Sequence, residues 1–346
     1  MQGLVNTALR DPRGITTMTK PQLDLLVRLL RDVRLHAKLA VDLKAIDEFN
    51  NLPQVFQDQL ESALVVAEAR ARVASWEMNR IAWATRDHPR LRIALMKGCA
   101  YIAMDLPSAR GRIFADVDLL VAETYIRDVE GLLNSRGWKT KELSPYDDNY
   151  YRRWTHEIPP LVHLERDVEI DIHHNVLPIT ARLKPDGAMI LESAESTADL
   201  VFLLPGDTDL VLHAMTHLMF NDEMVNKLRD LVDIDGLLRH FAAESDDFWD
   251  RLLKRSEELN LKRPTYYALR FSRELLATPL PDEIPSQIRR WAPFAPINWL
   301  MGKLVPRALY PRHPEHRSRM TGLARWLLYI RSHWIKMPPW LLAYHL

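Results

Sequence analysis

With 346 residues, the chain has room for one large domain or two smaller ones, and 47% apolar with 27% charged residues fits an ordinary globular protein. Basic residues (Lys plus Arg) and acidic residues (Asp plus Glu) each number 46, so the formal charge is zero. That balance argues against nucleic-acid binding through bulk charge and leaves only a local basic cleft open. The single cysteine, Cys99, excludes an internal disulfide and a cysteine zinc cluster, as expected for a reducing compartment. The N-terminus, MQGLVNTALRDPRG, lacks the apolar core of a signal peptide, and no apolar run reaches the roughly 18 residues of a spanning helix. A cytoplasmic chain without a transmembrane segment is expected.

From Asp24 to Phe49 apolar residues recur at mostly helical spacing, and a second helix is predicted from about Val55 to Trp83, rich in Ala, Glu and Arg. Asp87-His88-Pro89 ends it, since the residue before proline resists helical geometry. Residues 1–90 thus read as a helical N-terminal region. Arg92–Met96 (RIALM) predicts a strand, and CAYIAMDL after Lys97-Gly98 suits a short helix. RGRIFADVDLLV gives the next strand, TYIRDVEGLLNSR a helix closed by Gly137, and Trp138–Leu143 a further strand. Residues 149–174 predict a β-meander of NYYRRWTHEI, PLVHLE and VEIDIHH. This α/β core sits within a catalytic unit drawn as residues 91–195. Helical patterns return in DTDLVLHAMTHLMF, with Asp207 placed to cap it, and in KLRDLVDIDGLLRHF. Prolines punctuate the rest of a helical C-terminal domain drawn as 196–346. The predicted class is α+β: a mixed sheet with helices, flanked by helical N- and C-terminal regions.

Chemistry concentrates in the acidic strand. Asp116 and Asp118 project from one side of it, and two like charges so close repel, the more so when buried. A divalent cation is the simplest compensation. Asp171 alternates with Glu169 and His173 on one face of VEIDIHH. If the sheet joins these strands, three carboxylates converge as hard oxygen ligands suited to Mg²⁺, with Mn²⁺ as an alternative. Paired metal ions of that kind serve phosphoryl transfer. Glu169 is the obvious substitute for Asp171.

The stretch LMKGCAYIAMDLPSARGRIFADVDLLV resembles the core of the DNA polymerase β-type nucleotidyltransferase superfamily. It is closest in shape to a branch of uncharacterised bacterial nucleotidyltransferases that carries LKG, a spacer and R-x3-D-[IV]-DLLV. VEIDIHHNVLP, LVLHAMTHLMF and KLRDLVDIDGLLRHF extend the similarity, as RSHWIKMPPWLLAYHL does weakly, from about residue 91 to the end. The resemblance implies a Mg-dependent nucleotidyltransferase that moves a nucleoside monophosphate from an NTP to an acceptor. Asp116 and Asp118 would hold the metals, and Asp171 would be the third carboxylate or base. Gly98 would let the backbone approach the triphosphate, and Arg112 would bind phosphate. The superfamily's usual Gly-Ser is replaced by Lys97-Gly98, where lysine supplies charge instead of a serine contact. The acceptor is left open among small molecules, peptides, proteins and sugars, with nucleic acid disfavoured. A catalytically silent nucleotide-binding or regulatory protein is the rival expectation.

Three features have plainer readings. His213 and His217, four apart, lack the metalloprotease glutamate and suit a polar contact to a neighbouring helix better than zinc. Lys227, Arg229, Asp230 and Asp233 serve equally as site-facing groups or as a solvated face. Tryptophan and arginine in ARWLLYIRSHWIKMPPWLL suit packing onto the core better than membrane-surface contact.

Overall fold

The computed structural model describes residues 2–88, 90–166, 168–197, 200–311 and 319–345. Four helices come first: α1 Gln2–Arg10, α2 Lys20–Asp32, α3 His36–Ala45 and α4 Gln54–Thr85. The single helix expected over 24–49 is divided between α2 and α3. Arg34 lies at φ +58° in the left-handed region, the Arg34 N–H donates to the Arg31 carbonyl, and the Leu35 N–H reaches back to Leu30. These two bonds close a helix C-terminus in the way glycine usually permits. An arginine in the glycine position leaves no signal in the sequence. Pro89, part of the expected break after α4, lies outside the described residues.

The middle of the chain forms a seven-stranded mixed sheet in the order β3-β4-β5-β2-β1-β7-β6. In chain order its elements are β1 Ile93–Leu95, α5 Lys97–Ala103, β2 Asp116–Val121, α6 Ile126–Ser135, β3 Trp138–Thr140, α7 Pro145–Trp154, β4 Leu161–His163, β5 Glu169–His173, α8 Gly187–Ser193, β6 Glu195–Ser196 and β7 Leu203–Leu204. Strand β2 sits between β1, antiparallel to it, and β5, parallel to it. One expectation fails here: NYYRRW is the end of α7, not the first strand of a meander. The Ser144 hydroxyl accepts the Asp147 N–H, Pro145 stands at the first helical position, and acids open the helix while Arg152 and Arg153 close it. These cap, proline and dipole signals outweigh the β preference of the tyrosines.

Among the described residues eight α-helices follow: α9 Asp207–Phe220, α10 Leu228–Glu244, α11 Phe248–Glu258, α12 Lys262–Leu276, α13 Glu283–Ile288, α14 Ala295–Leu309, α15 Arg319–Lys336 and α16 Pro339–His345. Gly206, not Asp207, is the cap of α9; Asp207 is its first residue, accepts the Thr208 N–H at 2.6 Å and is held by Arg251 at 2.8 Å. A continuous apolar core runs from Val5 in α1 through the sheet residues Leu95, Leu119 and Ile172 to Leu328 in α15. Arg10 ties α1 to the end of α12 through the Leu275 carbonyl at 2.9 Å. Among the described residues, no helix is long and apolar enough to cross a membrane.

Candidate active site

Strands β2 and β5 run parallel with Asp116 opposite Glu169, Asp118 opposite Asp171 and Leu120 opposite His173. Because side chains alternate, Val117, Leu119, Ile170 and Ile172 bury on one face while Asp116, Asp118, Asp171 and His173 share the other. The register the sequence could only suppose is therefore present. It sets two carboxylates side by side in the middle of the sheet.

Asp118 is 2% exposed, and one of its oxygens takes two cations. Lys97 Nζ donates to Oδ1 at 2.5 Å, and His173 Nε2 stands 3.0 Å from the same atom. Lys97 opens α5 at φ +46°, a left-handed conformation for a non-glycine residue, and the Met96 N–H donates to the Asp118 carbonyl at 2.9 Å. Burial opposes both charges of the pair. Their mutual attraction prevails, holding the Asp118 carboxyl well below the usual range and the Lys97 amine above its own. His173 is likewise penalised by burial, yet its hydrogen bond to Asp118 and its pairing with the Glu157 charge push it up to about 9. The His173 Nδ1 lies 3.1 Å from Glu157 Oε2 as an ion pair, and Glu157, despite burial, is drawn down to about 2 by His173. His173 thus holds Asp118 on one side and Glu157 on the other. The acidic pair that seemed to demand a metal already has a lysine and an imidazolium beside it.

Unbalanced charge remains on the flanking acids. Burial and the Asp118 charge push Asp171 up to about 7, and Asp118 followed by burial also raises Asp116. Potential ligand atoms of Asp118, Asp171 and His173 lie within 4.8 Å of one another, as do those of His156, Glu157 and His173. Asp116 shares the face but belongs to neither triple. Asp118 Oδ2 accepts no hydrogen bond among the described residues. A site of hard oxygen donors with one free carboxylate oxygen and two acids of raised pKa fits a divalent cation. A cleft of about 280 Å³ lined by Arg127, Tyr151, Arg152, Glu157 and His174 opens beside the cluster.

Gly98 and Arg112 meet at the back of the site. A side chain at Gly98 would put its Cβ 2.6 Å from Arg112 Nη1 and 2.8 Å from the Phe114 ring, so the glycine is required by this close pass. Arg112 Nε donates to Asp233 Oδ2 at 2.8 Å, and its guanidinium stacks on Tyr101 and Phe114. The pair fastens the chain before β2 to α10. In α10 Asp230 and Asp233 are buried, not solvated, with Lys227 at 3.1 Å and Arg229 at 3.0 Å from Asp230. The charge of Arg229 reaches Asp116. Lys227, Arg229, Asp230 and Asp233 thus form a polar network at the start of α10 that Arg112 joins to the site.

His213 and His217 stack at 6.4 Å within α9, and burial keeps both neutral. His217 approaches Asp230 of α10 at 3.9 Å, whereas the buried His213 Nδ1 has no hydrogen-bond partner among the described residues, so the interhelical contact expected of both histidines falls to His217. Sequence reading missed His156 and Glu157, which approach the cluster because Glu157 bridges to His173 across the end of β5. Their only trace was an acid and a histidine in WTHEI, at the C-terminal end of a segment taken for a strand.

Residues 19–277, about three quarters of the chain, match the model of a family described as uncharacterised nucleotidyltransferase. Comparison with curated proteins and with solved structures gives no match.

Proposed function

Since the chain belongs to this family of uncharacterised nucleotidyltransferases, and is thereby a member of an enzyme class that transfers a phosphorus-containing group, we propose how its own residues perform the reaction. The α/β unit, residues 91–195, carries the chemistry in the manner of the DNA polymerase β-type superfamily, and the helices on either side frame the cleft. Asp116, Asp118 and Asp171 hold the divalent cations, Mg²⁺ foremost and Mn²⁺ as an alternative. Bound there, such a cation neutralises charge on the phosphate oxygens of an NTP and polarises the acceptor.

The observation that carries this reading is Asp118 in register with Asp171 on adjacent parallel strands. Asp171, beside Asp118 on the adjacent strand, is placed to take a proton from the acceptor hydroxyl. His173, bound to Asp118 Oδ1, fixes that carboxylate and leaves Oδ2 for the ligand. Lys97 supplies positive charge to the polyphosphate in place of the superfamily's serine contact. Gly98 makes room for Arg112 and Phe114 behind the start of α5, and Arg112, anchored by Asp233, adds a fixed positive charge felt at Asp116.

Pyrophosphate release from an NTP tests the proposal: it requires Mg²⁺ or Mn²⁺ and disappears in Asp118→Ala and Asp171→Ala. Absence of turnover together with absence of metal–nucleotide binding by calorimetry would refute it. A second reading, a silent nucleotide-binding or regulatory protein, draws on the Lys97–Asp118 contact, which occupies one oxygen of the central ligand. Nucleotide binding without any metal-dependent turnover favours that reading.

A further inference from the structure

Charge is unevenly spread along this neutral chain. Residues 289–346 contain ten Lys and Arg against a single Glu, so the first 288 carry 36 basic against 45 acidic residues. The same basic segment exposes large apolar side chains. In α15, Leu323, Trp326, Ile330 and Trp334 are exposed at helical spacings of three and four that align them on one stripe. The opposite side packs inward through Ala324 and Leu328. Packing thus accounts for half of the terminal motif, and the tryptophans expected inside are outside, with Trp326 58% exposed. Helix α14, which packs on α15, is preceded by Phe294 at 75% exposure, carries Trp299 at 65% and continues on the Trp299 face to exposed Lys303 and Arg307. Neither cation pairs with a carboxylate among the described residues; Arg307 donates only to the Lys303 carbonyl.

Exposed tryptophans beside unpaired cations on helices too polar to span a bilayer match the chemistry of an anionic membrane surface. Aromatic rings sit at the headgroup level, while Lys and Arg meet lipid phosphates. A second copy of the chain fits less well, because a twofold contact would press this positive face against itself. We propose that α14 and α15 form a docking face for an anionic bilayer surface, on which the protein lies without crossing.

The full chain, mixed with vesicles of phosphatidylcholine alone or with added phosphatidylglycerol, tests this by co-sedimentation and tryptophan emission. Binding is expected only to the phosphatidylglycerol vesicles, with a blue-shifted emission, and weakens as salt rises. Lys303→Gln with Arg307→Gln should weaken it roughly thirtyfold, at about tenfold per 1.4 kcal/mol. Trp326→Ser with Trp334→Ser should remove most of the blue shift, with unchanged far-ultraviolet circular dichroism confirming the fold. Failure of the unmodified chain to bind phosphatidylglycerol vesicles at low salt overturns the proposal. So does equal binding to both vesicle types, or binding unchanged in both double variants. Sizing that shows the tryptophan variant converting a dimer to a monomer assigns the face to a second copy and overturns it too.

Discussion

Replacing Arg112 by methionine keeps much of the aliphatic stem and deletes the guanidinium. In the native chain Nε lies 2.8 Å from Asp233 Oδ2, with the two side chains only 10% and 9% exposed. Removing one member of such a pair strands the other charge, at a cost of about 3–5 kcal/mol. Loss of the stacking on Tyr101 and Phe114 adds to this. Burial already raises Asp233 above the ordinary carboxylate range, even with Arg112 beside it. Without Arg112 it rises further, so the variant takes up a proton on folding. A pKa raised in the folded state favours that state at low pH. The deficit should therefore be largest near neutrality and shrink as the pH falls toward the ordinary aspartate range. The double change Arg112→Met with Asp233→Leu should restore most of the loss, because no buried charge is then unpaired. Urea unfolding followed by tryptophan fluorescence reads these differences as midpoint shifts at constant slope. A single-variant deficit below about 1 kcal/mol, or one independent of pH, refutes the argument.

Three further outcomes follow from the same geometry. His173 is raised to about 9 from an ordinary 6.5, so its pairing stabilises the fold fully below about pH 6.5 and is lost as the pH rises through about 9. Thermal melts with chelator present should show that alkaline decline, and His173→Gln should flatten it. Gly98→Ala forces a methyl against Arg112 and Phe114 and should cost about 1–3 kcal/mol in denaturant unfolding. Glu77, fully buried, accepts from Trp138 Nε1 at 2.7 Å and from Arg166 Nε at 2.8 Å. Glu77→Ala leaves both donors without it and should cost about 3 kcal/mol or more, read as a fall in thermal midpoint.

What could be read from the sequence divides by the reach of each interaction. Alternation within RIFADVDLLV and VEIDIHH put Asp116, Asp118, Asp171 and His173 on the correct faces, since period two is a local property. The long α4 was legible from composition for the same reason. The partners of Asp118 were not, because Lys97 and His173 reach it across 21 and 55 residues of chain. Arg112 likewise finds Asp233 over 121 residues, a contact no spacing announces. Local misreadings had local causes: Arg34 adopts a conformation usually left to glycine, and the three aromatic residues of NYYRRW in α7 imitate a strand that the Ser144 cap overrules. In α15 the tryptophans and arginines suggested packing onto the core, but nothing local told which side of the helix the protein body would cover.

The ammonium of Lys97 resting on Asp118 gives the sheet its own resident counter-ion. A chain so equipped has no need to wait for metal before it folds: stripped of divalent ions, it keeps its central carboxylate quiet by itself. On the proposed reading, arrival of a triphosphate is an exchange of partners rather than the rescue of an unpaired buried charge. For the lysine at the head of α5 to meet a phosphate, it must first give up this contact with Asp118.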